Sequence, residues 1–152
     1  MVKAIVFIAT LISLLSASNI NIDNIAKGAE KSNKHILIFL HKPHCGFCER
    51  MIKQTLKDEW ISEKIKKDFI FVDVDISKTG DVTYKNFKGS KREFAKFLGY
   101  DFYPTTIFID NKNEVIYVQP GYQDEMNFLD ILEYIDSNLY EDMSIEDFKK
   151  RD

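Results

Sequence analysis

This 152-residue chain holds few of the residues that anchor the chemistry of small proteins: two cysteines, three histidines, one tryptophan, three prolines and six glycines. Two cysteines are too few to staple a secreted scaffold, so the domain must be held together by packing. No repeat, low-complexity tract or linker interrupts the chain. Its longest apolar stretch falls short of the roughly 20 residues that span a bilayer as a helix. Basic excess is also missing. Twenty-one Lys and Arg against 24 Asp and Glu leave a formal charge of −3, with no basic stripe. Nucleic acid is therefore not an expected partner.

The N-terminus carries an export pattern. Lys3 precedes an apolar stretch from Ala4 to Leu15, and Ser16-Ala17-Ser18 then supplies small residues. This order reads as a signal peptide over residues 1–18, cut after Ser18, rather than as a short buried helix. No cysteine follows it to carry a lipid anchor. The remaining residues, 19–152, have a normal size for one domain, with a formal charge of −4 once Lys3 is gone. The expected location is the periplasm.

Hydrophobic spacing orders the rest. Ile22, Ile25, Ala26 and Ala29 recur at helical intervals up to Asn33-Lys34. His35 to His41 is a continuous apolar run, expected as a strand buried on both faces. A helix follows through Met51, Ile52 and Leu56, with Trp60, Ile61 and Ile65 on a continuation or a second short helix. Phe69 to Asp75 reads as a second buried strand. Val82-Thr83-Tyr84, between Gly80-Asp81 and Lys88-Gly89, predicts a small inserted strand or hairpin. Ser90 and Glu93 form a capping-box pattern for a helix whose apolar face is Phe94, Ala95, Phe97 and Leu98, ended by Gly99. Thr105 to Ile109 and Glu114 to Val118 read as a hairpin, and Phe128 to Ile135 as an amphipathic helix. A last short helix starts at Ser144. The fold class is α/β, with parallel crossovers and an antiparallel edge.

Most of the inferable chemistry rests on Cys45-Gly46-Phe47-Cys48, which follows the first strand and opens a helix. Two thiols at this spacing can close into a disulfide across one turn, and a helix start favours the thiolate. In an exported chain the pair points to redox catalysis. Cys45, at the helix start, is the expected nucleophile, and Cys48, one turn in, the resolving thiol. Lys42 and His44 are candidates for adding positive potential at the sulfur; Arg50 could add to it as well, but reads first as an ordinary solvated helix residue. Gly46 leaves Cys45 approachable. Phe47 either faces a substrate or packs. Zinc is the rival use of the pair, with His41 and His44 open as partners on ligand count, but finger spacing is absent. No metal and no cofactor are expected.

With Cys45-Gly46-Phe47-Cys48 after a buried strand, and Tyr103-Pro104-Thr105 before a terminal hairpin, the chain resembles the thioredoxin superfamily from about Ile36 to Ile135. The resemblance implies a central mixed sheet flanked by helices, with a small insertion before the helix at 90–99. It implies that Pro104 is cis and faces the cysteines, with Tyr103 offering its backbone to substrate. Within the superfamily, Asp81 to Tyr100, Pro104 to Ile109 and Pro120-Gly121-Tyr122 are similar to exported SoxW-like thioredoxins. That likeness implies protein thiol or disulfide substrates, a reductive role and a membrane electron donor; the state expected by default is a monomer. Two departures stand out. His44 and Phe47 replace the Trp and Pro that flank cytosolic thioredoxin cysteines. Phe39 stands where those proteins keep a buried carboxylate, which leaves Asp73, Asp75 and Glu49 as candidate proton acceptors.

Overall fold

The computed structural model describes residues 18–151; the expected signal peptide lies outside the described residues except for Ser18. Strand β1 (Ile20–Asn21) leads into α1 (Ile22–Ser32), whose Asn21 side chain caps the first turn. Asn33 turns left-handed at φ 51° and ends it. Strand β2 (His35–His41) is followed by α2 (Gly46–Arg50), a π-helical turn (Met51–Thr55) and α3 (Glu59–Asp68). Next come β3 (Phe69–Asp75), β4 (Asp81–Tyr84), β5 (Phe87–Ser90) and α4 (Lys91–Phe97). The chain closes with β6 (Thr105–Ile109), β7 (Val115–Pro120), α5 (Glu125–Asp136) and α6 (Ile145–Phe148).

The main sheet has the order β3-β2-β6-β7. β2 and β3 run parallel, and β6 and β7 are antiparallel to their neighbours. This is the mixed α/β sheet flanked by helices that the sequence leads one to expect. The insertion forms its own three-stranded sheet, β1-β4-β5. Its parallel β1–β4 pairing joins residues some 60 positions apart, which local sequence patterning does not reveal.

β2 is buried on both faces because its alternating side chains enter two cores. Ile36, Ile38 and Leu40 pack with Ala26, Ala29 and Phe94; Leu37 and Phe39 pack with Met51, Phe108 and Phe128. Helices thus fix β2 from both sides, and its C-terminal end cannot drift. That end carries the two cysteines.

Two expectations need correction. β3 is not buried on both faces: it is the sheet edge, and Phe71 is 40% exposed. The helical layer leaves a groove there, lined by Phe39, His41, Ile52, Leu56, Phe71 and Asp73. Phe97 does not join the buried face of α4; it lies outward, stacked on Phe87 with ring centroids 4.8 Å apart. Trp60, Ile61 and Ile65 lie on a second short helix, α3, as expected, with Trp60 facing solvent. Among the described residues, no helix is long and apolar enough to cross a membrane.

Candidate active site

The two cysteines form a disulfide with Cα atoms 5.2 Å apart. Cys45 is the N-cap of α2 with extended backbone, and its sulfur accepts the Cys48 N–H at 3.2 Å. Cys45 is half-buried, whereas Cys48 is only 1% exposed. One sulfur therefore faces incoming reagents and the other is shielded behind it. The preceding residue, His44, has φ 55°, and this left-handed turn takes the chain from β2 into α2.

Opposite the sulfur lies the loop before β6. The Tyr103–Pro104 peptide bond is cis, and Pro104 is buried. The Tyr103 carbonyl oxygen is 3.6 Å from Cys45 Sγ. A disulfide sulfur has no hydrogen to give, so in this state the approach is a contact only. Neither the N–H nor the carbonyl of Tyr103 has a backbone partner among the described residues. An extended chain laid beside Tyr103 would find both groups free. Gly121, at φ 84°, donates its N–H to the Pro104 carbonyl at 2.8 Å and turns Tyr122 toward the site.

Aromatic residues lie on the segments next to the disulfide. Phe47 is 63% exposed, its ring 6.3 Å from that of Tyr122, so it packs on one side and faces solvent on the other. Phe102 is 73% exposed. Lys42 Nζ sits 5.3 Å from the centre of the Tyr103 ring, and Arg50 Cζ sits 4.6 Å from that of Tyr122. Burial pushes the Tyr103 phenol up; Arg92 opposes and Asp101 adds to this. Arg50 is exposed on its helix, as expected, and also lies against Tyr122, a ring that the sequence does not mark as a site residue and that packs on Phe47. The signal for Tyr122 is the Pro120-Gly121 turn, which carries the chain back past Pro104.

The proton-acceptor candidates divide. Asp73 bonds His41 Nε2 at 2.8 Å and is 59% exposed. Burial acts to raise Asp75, but the N–H and hydroxyl of Ser77 outweigh it and hold the carboxyl below its ordinary value. Glu49 pairs with Lys53 on the helix surface. Phe39 is fully buried, stacked on His41. Across β6, its register partner Thr106 keeps a buried hydroxyl with no hydrogen-bond partner among the described residues.

Of the histidines weighed as zinc partners, His44 precedes Cys45 and is exposed, and the two thiols are joined as a disulfide. His41 is engaged by Asp73, and His35 lies at the far end of β2 against Tyr140. Among the described residues, no three His, Cys, Asp or Glu side chains converge to hold a metal.

The chain belongs to the thioredoxin-like domain family, whose pattern it matches over residues 22–136. No curated protein sequence matches it. Among solved structures it is similar to a thioredoxin-fold protein from Helicobacter pylori, at 27% identity and a TM-score of 0.64, over 85% of this chain and 92% of that one. It is also similar to a thioredoxin from Thermus thermophilus: 18% identity, TM-score 0.61, 80% of this chain and 88% of that one. A disulphide isomerase from Xylella fastidiosa Temecula1 matches at 18% identity and TM-score 0.57, over 75% of this chain and 87% of that one. At these last two identities the likeness shows the fold alone.

Proposed function

We propose that this protein is a periplasmic thiol–disulfide oxidoreductase that reduces disulfides in protein substrates. The observation that carries this is the asymmetry of the pair. Cys45 caps a helix with its sulfur accessible and hydrogen-bonded by Cys48 N–H, and Cys48 is buried behind it. Cys45 thiolate attacks one substrate sulfur, forming a mixed disulfide and releasing the other sulfur as a thiolate that takes up a proton. Cys48, as thiolate, then attacks Cys45 Sγ and expels the second substrate thiolate, which is protonated in turn. Two electrons pass to substrate, and the two protons given up by Cys45 and Cys48 balance those taken up. An external dithiol must restore the reduced pair.

Tyr103 and Pro104, with Gly46 and Phe47, serve as the substrate-contacting surface, and Lys42 and His44 tune the sulfur. The likeness to exported SoxW-like thioredoxins supports the reductive direction and a membrane donor of electrons. The Lys-apolar-small order of residues 1–18 supports export, with residues 19–152 as one mature, monomeric domain. The rival reading, metal or cofactor handling through the pair and nearby histidines, has no assembled ligand set to favour it.

The test is a trap. A Cys48→Ser chain expressed with its leader should accumulate mixed disulfides through Cys45 with exported proteins, and the wild type should reduce insulin. An empty trap together with no insulin reduction would overturn the assignment.

A further inference from the structure

The surroundings of Cys45 carry a charge that the chain as a whole does not. The full sequence is net −3. Yet Lys42 lies over the ring of Tyr103, whose carbonyl touches the sulfur, and Arg50 lies over the Tyr122 ring beside Phe47. Exposed His44 precedes Cys45 directly, and Arg92 acts on the Tyr103 phenol.

The carboxylates nearby are mostly occupied. Glu49 is tied to Lys53, and Asp124 accepts the N–H and side-chain amide of Asn127 at the start of α5. Asp101 alone faces Tyr103 from the same loop. Lys42 and Arg50 form no ion pair among the described residues; Arg50 donates to the neutral Gln54, and the Asp124 carboxylate, bonded to the neutral Asn127, feels its charge from a distance. Stacking on tyrosine faces holds both cations near the sulfur without neutralising them. The exposed Phe47 ring adds an apolar face beside Tyr122.

Resting on the thiol–disulfide function proposed above, we infer that this rim selects its substrates: extended segments whose reactive cysteine is flanked by acidic residues and an apolar side chain. Carboxylates on either side of the cysteine would meet Lys42 and Arg50, and the apolar side chain would cover Phe47. Such rim charges act on encounter and register more than on final affinity, and salt weakens them.

The test uses the pre-reduced protein in single turnover on synthetic peptides, each bearing one cysteine as a mixed disulfide with 2-mercaptoethanol. The flanks are Glu or Lys, and the adjacent residue is Leu or Gly. Bis(2-hydroxyethyl) disulfide, small and neutral, reports the thiol chemistry alone. At about 0.01 M salt, where screening sets in only beyond roughly 30 Å, the Glu-flanked peptides should react on the order of tenfold faster than the Lys-flanked ones. That ratio should shrink at about 0.5 M salt and fall toward one in the Lys42→Gln/Arg50→Gln chain. Leu beside the cysteine should react faster than Gly, and Phe47→Ala should narrow that gap. Because each readout is a ratio within one protein, a change in sulfur reactivity cancels.

Equal rates for Glu and Lys flanks, or faster Lys flanks, with the neutral disulfide still reduced, would overturn the recognition and leave the oxidoreductase standing. A ratio that survives the double substitution would also overturn it. Failure to reduce the neutral disulfide would remove the oxidoreductase assignment, and this inference with it.

Discussion

The amide of Cys48 donates to the sulfur of Cys45 across 3.2 Å, so the shielded cysteine's own backbone solvates the exposed one. A donor aimed at sulfur favours the thiolate, and the start of a helix adds to the effect. The same contact places Cys45 as the cap, which a serine or aspartate would occupy in an ordinary helix.

In the reduced protein, Cys45 is therefore expected to alkylate with a midpoint below the roughly 8.5 of a free thiol. Cys48, buried, should react far more slowly. Iodoacetamide labelling across pH, with the modified site read by mass spectrometry, measures both. Lys42→Gln should move the Cys45 midpoint upward. Equal labelling of the two cysteines would contradict the assigned roles.

The irregular turn behind the active helix rests on Thr55. Its buried hydroxyl donates to the Gln123 carbonyl at 2.7 Å, tying the π-helical segment to the loop before α5. Thr55→Val keeps the shape and leaves that carbonyl without its donor. The expected loss is about 1–2 kcal/mol, visible as a lower urea midpoint with an unchanged slope.

How much of the fold is legible in the sequence follows from where each determinant lies. Ser90 and Glu93 are three residues apart, and the structure has both arms of their capping box. Asn33, Gly99 and the Ser144 cap are equally local, and each marks its helix end. β2 is readable because a short apolar run between polar ends is too brief for a buried helix and long enough for a strand. What escapes depends on distant partners. Phe71 looks like a core residue until β3 is known to be the sheet edge, and Phe97 until it is seen stacked on the outer side of Phe87. The pairing of Ile20 with Val82 leaves no local trace. At the site, the cysteines and the Tyr103-Pro104 loop announce themselves, whereas Arg50 and Tyr122 meet only through the Gly121 turn. His41 gives no sign of Asp73, because their contact depends on the β2–β3 register.

Mild acid should weaken the fold through His35. Burial pushes its imidazole below the ordinary value of 6.5, against the opposing pull of Asp136, Asp110 and Glu141. The unfolded chain thus takes up this proton first. Stability is full above about pH 6.5 and is lost as pH falls from there through the lower folded value. Asp75 and Asp124 are also depressed, but their losses begin only below about pH 4. Chemical denaturation at steps between pH 7.5 and 5 should show the decline, and His35→Gln should flatten it. An unchanged slope in that variant would assign the decline elsewhere.

The alkaline limit should depend on Lys64. Its ammonium reaches Asp68 on its own helix and Asp136 on α5, each at 3.1 Å, and so clamps α3 to α5. Burial acts to lower its pKa, but the hydrogen bonds and charges of the two carboxylates outweigh that and hold it above 10.5. A group raised in the folded state contributes stability that is complete below its unfolded pKa and disappears as pH climbs through the folded one. Lys64→Met keeps the aliphatic stem and removes the charge. It leaves Asp68, largely buried, facing Asp136 without a cation between them. The expected cost at pH 7 is about 1 kcal/mol, smaller in high salt as screening grows. As pH climbs above 10.5 toward and through the raised folded value, the gap between variant and wild type should narrow, because the wild type progressively loses the same charge. Urea titrations of both proteins in steps from pH 7 upward past 10.5 supply the comparison, and a gap that does not narrow at all along that series would show that packing, not charge, joins the two helices.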